Sequence, residues 1–255
     1  MLWYKSWLET RARFVIGLVL MICSAALAVF SYPQVLKLLP LVPSLEMSGE
    51  IGRRVQEAAA LIRDYRGYAW SQWVSQNLTQ FWILFAVLLG TGGLLSQTSG
   101  GAALFTLSMP ASRTRLLAIR AGTALAELLA LALVPSLLFS VLSPLIGQSY
   151  GIGEALVHGL CLFVAGTAFF SLAFLLSTVF SDLWRPALLA LGVAIVLALV
   201  EQIPGDLPRL GIVRVMSAEA YFRHGELPWT GLLVSVSLSA AMLYAANVNM
   251  ARRDF

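Results

Sequence analysis

The chain has 255 residues, of which 59% are hydrophobic and only 12% are charged, and its mean hydropathy is +0.82. A soluble domain carries about 25% charged residues, so this composition excludes an ordinary soluble domain and predicts a polytopic membrane protein. The net charge of +4 is dispersed along the chain. It forms no basic stripe or nucleic-acid-binding motif, so no nucleic acid partner is expected.

Six apolar runs are long enough to cross a bilayer. Each is close to or above the roughly 17 to 25 residues that a spanning helix needs. The runs are continuous rather than alternating, which favours helices over a β-barrel and predicts an all-α fold. The chain is therefore expected to form one transmembrane domain over residues 1–255. The predicted spans are residues 14–30, 79–95, 116–146, 155–180, 186–203 and 229–248.

Residues 1–13 are predicted to form an amphipathic helix that lies in the membrane interface. Its aromatic residues would lie at headgroup depth, and its basic residues would face lipid phosphates. A cleaved signal peptide is the alternative, because basic residues and an apolar run precede Ala26-Leu27-Ala28, but the aromatic flank is not typical of one. The residues that predict the interfacial helix are Trp3, Tyr4, Lys5, Trp7, Arg11 and Arg13.

The basic residues of the short loops predict the orientation of the chain. The connection between the second and third spans carries Arg113, Arg115 and Arg120 without an acid, whereas residues 147–153 contain no Lys or Arg. Further basic residues lie near both ends of the chain. Cytoplasmic loops are enriched in Lys and Arg, so both termini and the turn at Arg113 are expected in the cytoplasm.

Two segments on the external side are predicted to hold shorter helices. In the loop 31–78, apolar residues recur at spacings of three and four with charged residues between them, which predicts a long amphipathic helix that caps the bundle. The segment 204–228 is short and interrupted by Pro and Gly, which favours a pair of re-entrant or interfacial pieces. The recurring apolar residues are Ile51, Val55, Ala58, Ile62, Tyr65, Ala69 and Trp73.

No group of residues predicts catalysis, a metal site or a nucleotide site in this chain. Gly-Lys-Ser and Gly-Lys-Thr do not occur, so a phosphate-cradling loop is not expected. His158 and His224 are the only histidines and there is no cysteine pair, which argues against a metal site. The sequence GQSYG at 147–151 matches the nucleophile-elbow pattern around Ser149, but it lies in a turn between two predicted helices rather than between a strand and a helix.

Glu127 is the most informative single residue chemically. It lies about 11 residues into the third predicted span, roughly 16 Å deep and near the midplane of the membrane. A charge there is costly, so the side chain should face protein or water, and Arg120 lies two turns away on the same helix face. Two interpretations stay open: a paired or protonated acid that holds a helix interface together, or a lining residue of a substrate path.

The stretch FTLSMPASRTRLL at residues 105–117 resembles the signature region of ATP-binding-cassette type-2 permeases. In that family a short cytoplasmic helix follows the second span, and a turn of the pattern LLSxPxSRxxLL leads into the third. The layout of the chain is also similar to that family: an interfacial amino-terminal helix, six spans, a long first external loop and a broken segment before the last span.

This resemblance implies a cytoplasmic coupling segment over residues 97–115 that contacts a separate ATPase. It further implies a dimer of permease subunits, as a homodimer or a related heterodimer, with two copies of the ATPase subunit. ATP and Mg²⁺ would be bound by the ATPase, so no cofactor is expected in this chain. The location would be a bacterial cytoplasmic membrane. The residues implied in coupling are Leu104, Phe105, Leu107, Met109, Pro110, Arg113 and Arg115.

The predicted function is therefore the permease half of an ATP-driven exporter whose substrate the sequence does not specify. One alternative is an ion-coupled secondary transporter that uses Glu127, although such proteins show two related halves and no internal repeat is found here. Another alternative is a membrane assembly protein without transport activity. A membrane enzyme is disfavoured, because no catalytic cluster is found.

Overall fold

The computed structural model of the protein describes residues 2–39, 50–91, 113–180, 182, 184–201 and 211–251, and every element in these ranges is helical. Along the chain the elements are α1 (Leu2–Leu38), α2 (Glu50–Arg63), α3 (Tyr65–Tyr68), a π-helix (Ala69–Leu78), α4 (Thr79–Gly90), α5 (Arg113–Leu142), a 3₁₀ turn (Ser143–Ile146), α6 (Ile152–Val179), α7 (Trp184–Val200), α8 (Ile212–Met216), α9 (Glu219–His224) and α10 (Trp229–Ala251).

Four of the described helices are long and apolar enough to cross a membrane: α1, α5 with its 3₁₀ turn, α6 and α10. The prediction of an all-helical membrane protein is confirmed to this extent. The predicted fifth span corresponds to α7, which is a shorter apolar helix. The predicted second span, 79–95, corresponds to α4, and α4 ends at Gly90.

α1 is one continuous helix of 37 residues. An interfacial helix was predicted over 1–13, and in the structure residues 2–13 continue into the predicted span without a break. The reason is a stripe of buried residues at helical spacing, from Ser6 and Thr10 through Gly17 to Met21. This stripe packs against α5 and α4, so the helix continues without a break. At 1.5 Å per residue α1 is about 55 Å long, which exceeds a hydrocarbon core of about 30 Å.

The predicted amphipathic helix of the loop 31–78 is interrupted at Asp64. Asp64 has extended backbone angles and its carboxylate accepts a hydrogen bond from the Gly67 N–H, so it begins α3 as an N-cap. A Cβ on Gly67 would lie 2.1 Å from the carbonyl oxygen of Leu61, so only glycine permits this close approach. The chain then continues through the π-helix directly into α4.

The segment 204–228 contains two short helices, α8 and α9, in its described part 211–228. Ala218 joins them in the left-handed backbone region with φ of 51°. The Glu201 carboxylate, at the end of α7, accepts hydrogen bonds from the backbone N–H groups of Val213 and Arg214, each at 3.0 Å. Two short pieces were predicted here, and two short helices are observed.

α6 lies at the centre of the bundle and contacts α4, α5, α7, α8 and α10. Tight packing depends on small residues: a Cβ on Gly166 would lie 2.2 Å from the ring of Trp82. The Trp82 side chain is fully buried, and its indole Nε1 donates to the Leu128 carbonyl at 3.1 Å. The Trp82 ring therefore fills the space that Gly166 leaves on α6 and links α4 to both α5 and α6.

Pairs of contacts give the direction in which neighbouring helices run. The contacts of Thr167 with Ser239 and of Thr178 with Asn249 make α6 and α10 parallel. The bundle has two ends, which we name after one residue each. The Arg113 end holds the start of α5 and the ends of α4, α6 and α10, and the Tyr150 end holds the turn between α5 and α6 together with α3, α8 and α9.

Gly166→Ala should destabilise the protein, because the new methyl group would overlap the buried Trp82 ring. Overpacking of this kind costs about 1–3 kcal/mol. Gly192→Ala is the matched control, since Gly192 also lies within an apolar helix but a Cβ there has nothing within 4 Å. Thermal unfolding of both purified variants in detergent would measure the difference. Equal midpoints for the two variants would contradict the packing described for Trp82.

Candidate functional site

Glu127 of α5 is enclosed between α5 and α1. Its side chain is 5% exposed, and one carboxyl oxygen, Oε1, lies 2.6 Å from the Thr10 hydroxyl. The second oxygen, Oε2, has no hydrogen-bond partner among the described residues. A charged group in such a place is costly unless it is paired, so Glu127 holds unused hydrogen-bonding capacity inside the bundle.

An ion pair lies beside Glu127 on the same two helices. Arg120 of α5 reaches Glu9 of α1, with Nη1 and Oε2 3.6 Å apart. The Arg120 side chain is only 11% exposed, and its Nε has no hydrogen-bond partner among the described residues. Arg120 therefore pairs with α1 and not with the acid two turns away on its own helix.

Arg13 links α1 to the end of α4. Its Nη1 donates to the carbonyl oxygens of Leu88 at 2.7 Å and Thr91 at 2.9 Å. Leu88 lies in the last turn of α4 and Thr91 is the C-cap residue, and the Leu88 carbonyl also accepts from the Thr91 hydroxyl at 3.1 Å. Carbonyls at a helix end lack backbone donors from a following turn, so a guanidinium is well suited to cap them. Arg13 was predicted to face lipid phosphates, but in the structure its guanidinium contacts carbonyl groups of the protein.

These groups form one polar seam between α1, α4 and α5. Trp3 packs against Gly122 near the seam, since a Cβ on Gly122 would lie 3.0 Å from the indole ring. Two carboxyl groups and two guanidinium groups converge here, and their formal charges cancel if both acids are ionised. The residues of the seam are Ser6, Glu9, Thr10 and Arg13 of α1, the carbonyls of Leu88 and Thr91, and Arg120 and Glu127 of α5.

Of the residues predicted to couple to an ATPase, only Arg113 and Arg115 lie within the described residues. Leu104, Phe105, Leu107, Met109 and Pro110 fall outside the described residues. Arg113 begins α5, and the Arg115 side chain is exposed at the same end of the bundle. The seam therefore ties α1 to the two helices that flank residues 92–112.

A second cluster closes the Tyr150 end. Arg66 of α3 pairs with Glu154 of α6 at 2.8 Å, and its guanidinium lies over the Phe222 ring. Trp70 stacks on Phe222 with ring centroids 4.5 Å apart, and its indole donates to the Ser217 carbonyl at 3.0 Å. This cluster packs α3 and the π-helix onto α6, α8 and α9.

Ser149 and His158, from the nucleophile-elbow pattern, do not hydrogen-bond to each other. Ser149 is exposed, whereas His158 is buried and its Nδ1 donates to the Glu154 carbonyl at 2.7 Å, with the Tyr150 hydroxyl 3.2 Å away. Burial raises the pKa of the Tyr150 phenol, so this group stays protonated at neutral pH. The arrangement packs the turn and does not activate Ser149.

The sequence identified Glu127 but missed its partners on α1. A usable signal was present: Ser6, Thr10, Arg13 and Gly17 recur at spacings of three and four and form one stripe. The basic residues of this stretch were assigned to the membrane interface, which hid the stripe. A polar stripe that continues into small apolar residues indicates a helix face packed on protein.

Comparison of the chain with protein-family models, with curated proteins and with solved structures gives no match. The function is therefore inferred from the residues, their geometry and the resemblance of residues 105–117.

Arg13→Ala should loosen the last turn of α4, because two carbonyls lose a charged donor. Hydrogen bonds to charged groups contribute about 1.5–3 kcal/mol, which corresponds to local opening about tenfold to about a hundredfold more frequent. Hydrogen exchange of the amides of Leu89, Gly90 and Thr91 would measure this. Arg11→Ala is the control, since Arg11 is exposed on the same helix. Equal exchange in both variants would show that Arg13 does not hold α4.

Proposed function

We propose that the chain is the permease half of an ATP-driven transporter of the ATP-binding-cassette type-2 class and works as an exporter. The observation that carries the proposal is the sequence FTLSMPASRTRLL at the connection from α4 to α5. Topology alone requires only the arginines of this stretch. The preceding FTLSMP, with apolar residues before a helix-ending proline, fits a docking element for a partner subunit.

The arrangement of the helices supports a six-span topology. In this proposal α1, α4, α5, α6, α7 and α10 each cross the membrane. Both termini and the Arg113 end face the cytoplasm of a bacterial cell, since the basic residues of the short loops concentrate there. The Tyr150 end, with α2, α3, α8 and α9, faces outward.

The proposed assembly contains two permease subunits and two copies of an ATPase subunit. ATP and Mg²⁺ bind to the ATPase, and residues 97–115 transmit its movement to α4 and α5. The substrate path forms between the two permeases. Glu127 remains a candidate for that path. Because its carboxyl group is enclosed by α1, it reaches a substrate only when α1 and α5 separate.

An ion-coupled secondary transporter is the second candidate function. The observation that favours it is Glu127 itself, an acid inside the bundle with one unpaired oxygen. Intramembrane acids of this kind carry ions or protons in such transporters. ATPase activity of the chain purified with its partner separates the two candidates, because a secondary transporter has no ATPase partner.

Replacing Leu104 and Leu107 by Asp should release the ATPase or uncouple its activity from transport. Two charges in an apolar contact cost on the order of several kcal/mol if both are buried. The permease should still insert, because its spans are unchanged. Arg113→Lys with Arg115→Lys is the control for topology, since it keeps the positive charges. Co-purification of the ATPase is the measurement, and normal binding with coupled transport in the double-Asp variant would refute the docking role.

Cysteines placed at positions 115 and 151 should react differently with a membrane-impermeant thiol reagent in intact cells. Gly151→Cys should be labelled from outside, and Arg115→Cys only after the membrane is opened, because the basic turn is expected in the cytoplasm. Both variants also carry Cys23→Ser and Cys161→Ser, so that the native cysteines give no signal. Labelling of position 115 in intact cells would overturn the proposed topology.

A further inference from the structure

The Thr10–Glu127 contact has the geometry of a site that can hold a proton. Glu127 is 5% exposed and lies near the middle of an apolar helix, and among the described residues its carboxyl group hydrogen-bonds with the Thr10 hydroxyl at 2.6 Å. In the ionised form, the negative charge on Oε2 would have no donor among the described residues. In the neutral form, Oε2 is a carbonyl oxygen, and leaving it unpaired costs far less than leaving a charge unpaired.

The Thr10 hydroxyl can serve both forms of the acid. Its oxygen lies 3.3 Å from the Ser6 carbonyl and 3.4 Å from the Trp7 carbonyl, in addition to 2.6 Å from Glu127 Oε1. A hydroxyl has one proton and two lone pairs. It can donate to an ionised Glu127, or accept from a protonated Glu127 and donate to Ser6 instead. Rotation of this one O–H group therefore keeps the hydrogen bond in either state.

The charged groups around Glu127 are engaged elsewhere. On α1, Glu9 pairs with Arg120, and Arg13 donates to the carbonyls of Leu88 and Thr91. On α5, Arg120 is the charged group nearest along the helix, and it reaches α1 through Nη1. α4 contributes the two carbonyls. Among the described residues, these contacts leave the Thr10 hydroxyl as the group that hydrogen-bonds with the Glu127 carboxyl.

We propose that Glu127 and Thr10 form a proton-binding site that keeps Glu127 as a neutral carboxylic acid at neutral pH. On binding, the proton forms an O–H bond at Oε1, and the Thr10 hydroxyl turns its own proton to the Ser6 carbonyl. No other bond is formed or broken. The four charges of the seam then sum to +1 rather than zero. The proton exchanges with water at the Arg113 end, where the Glu9 side chain is 29% exposed.

Infrared difference spectroscopy of the purified chain in lipid nanodiscs tests this site directly. The wild type should show a C=O band of a protonated carboxyl group at neutral pH that Glu127→Gln lacks. The band should disappear when the pH is raised far enough to ionise Glu127. Glu57→Gln is the control, because Glu57 is exposed and should not remove the band.

Thr10 variants test whether the Thr10 hydroxyl is the hydrogen-bond partner of Glu127. This test holds even if the Glu127→Gln variant does not fold. Thr10→Val removes the hydroxyl that stabilises the ionised form, so the band should shift and persist to higher pH. Thr10→Ser keeps the hydroxyl and should match the wild type. The proposal is overturned if no protonated-carboxyl band distinguishes the wild type from Glu127→Gln, or if Thr10→Val leaves the band and its pH dependence unchanged. The measurement needs neither an ATPase nor a substrate, so its failure would leave the transport proposal standing.

Discussion

The packing of α1 on α5 depends on one constraint: polar groups inside an apolar bundle must form hydrogen bonds or ion pairs with one another. Glu127 cannot face lipid at acceptable cost, so it faces α1, where Thr10 meets it at 2.6 Å. Once α1 is held there, Glu9 lies within reach of Arg120, and Arg13 reaches the end of α4. These contacts help to set the register between α1, α4 and α5.

Tight apolar packing adds to the contacts of the polar seam. Trp82 inserts into the space above Gly166 and donates to the Leu128 carbonyl, one residue from Glu127. α5 is therefore fixed on one side by a polar contact with α1 and on the other by the indole of α4. The two kinds of contact act on adjacent residues of the same helix turn. A displacement of α5 would have to disturb both, which makes this level of the bundle its most constrained part.

The sequence was sufficient to predict the helices but not their partners. Apolar runs such as 155–180 and 229–248 define spans because lipid forces every backbone group into a helix, and α6 and α10 follow them closely. The break at Asp64 was missed because periodicity continues across it, whereas an N-cap and the close approach at Gly67 are local geometric facts. Glu127 was recognisable from the sequence because a charged group inside a membrane span costs free energy. Its partner Thr10 lies 117 residues away in the sequence, and only the fold brings them together.

The position of the seam has a mechanical consequence for residues 92–112. The segment is anchored to the bundle at its two ends, where α4 finishes and α5 begins, and α1 grips both of these helices through Arg13, Glu9 and Thr10. A force applied to the segment therefore reaches α1 through these contacts, and it also reaches α6, which α4 and α5 contact directly. A carboxyl group that accepts a proton at this point changes the charge balance of the same contacts. If residues 97–115 receive a push from a partner subunit, the strength with which α1 resists that push depends on the protonation of Glu127.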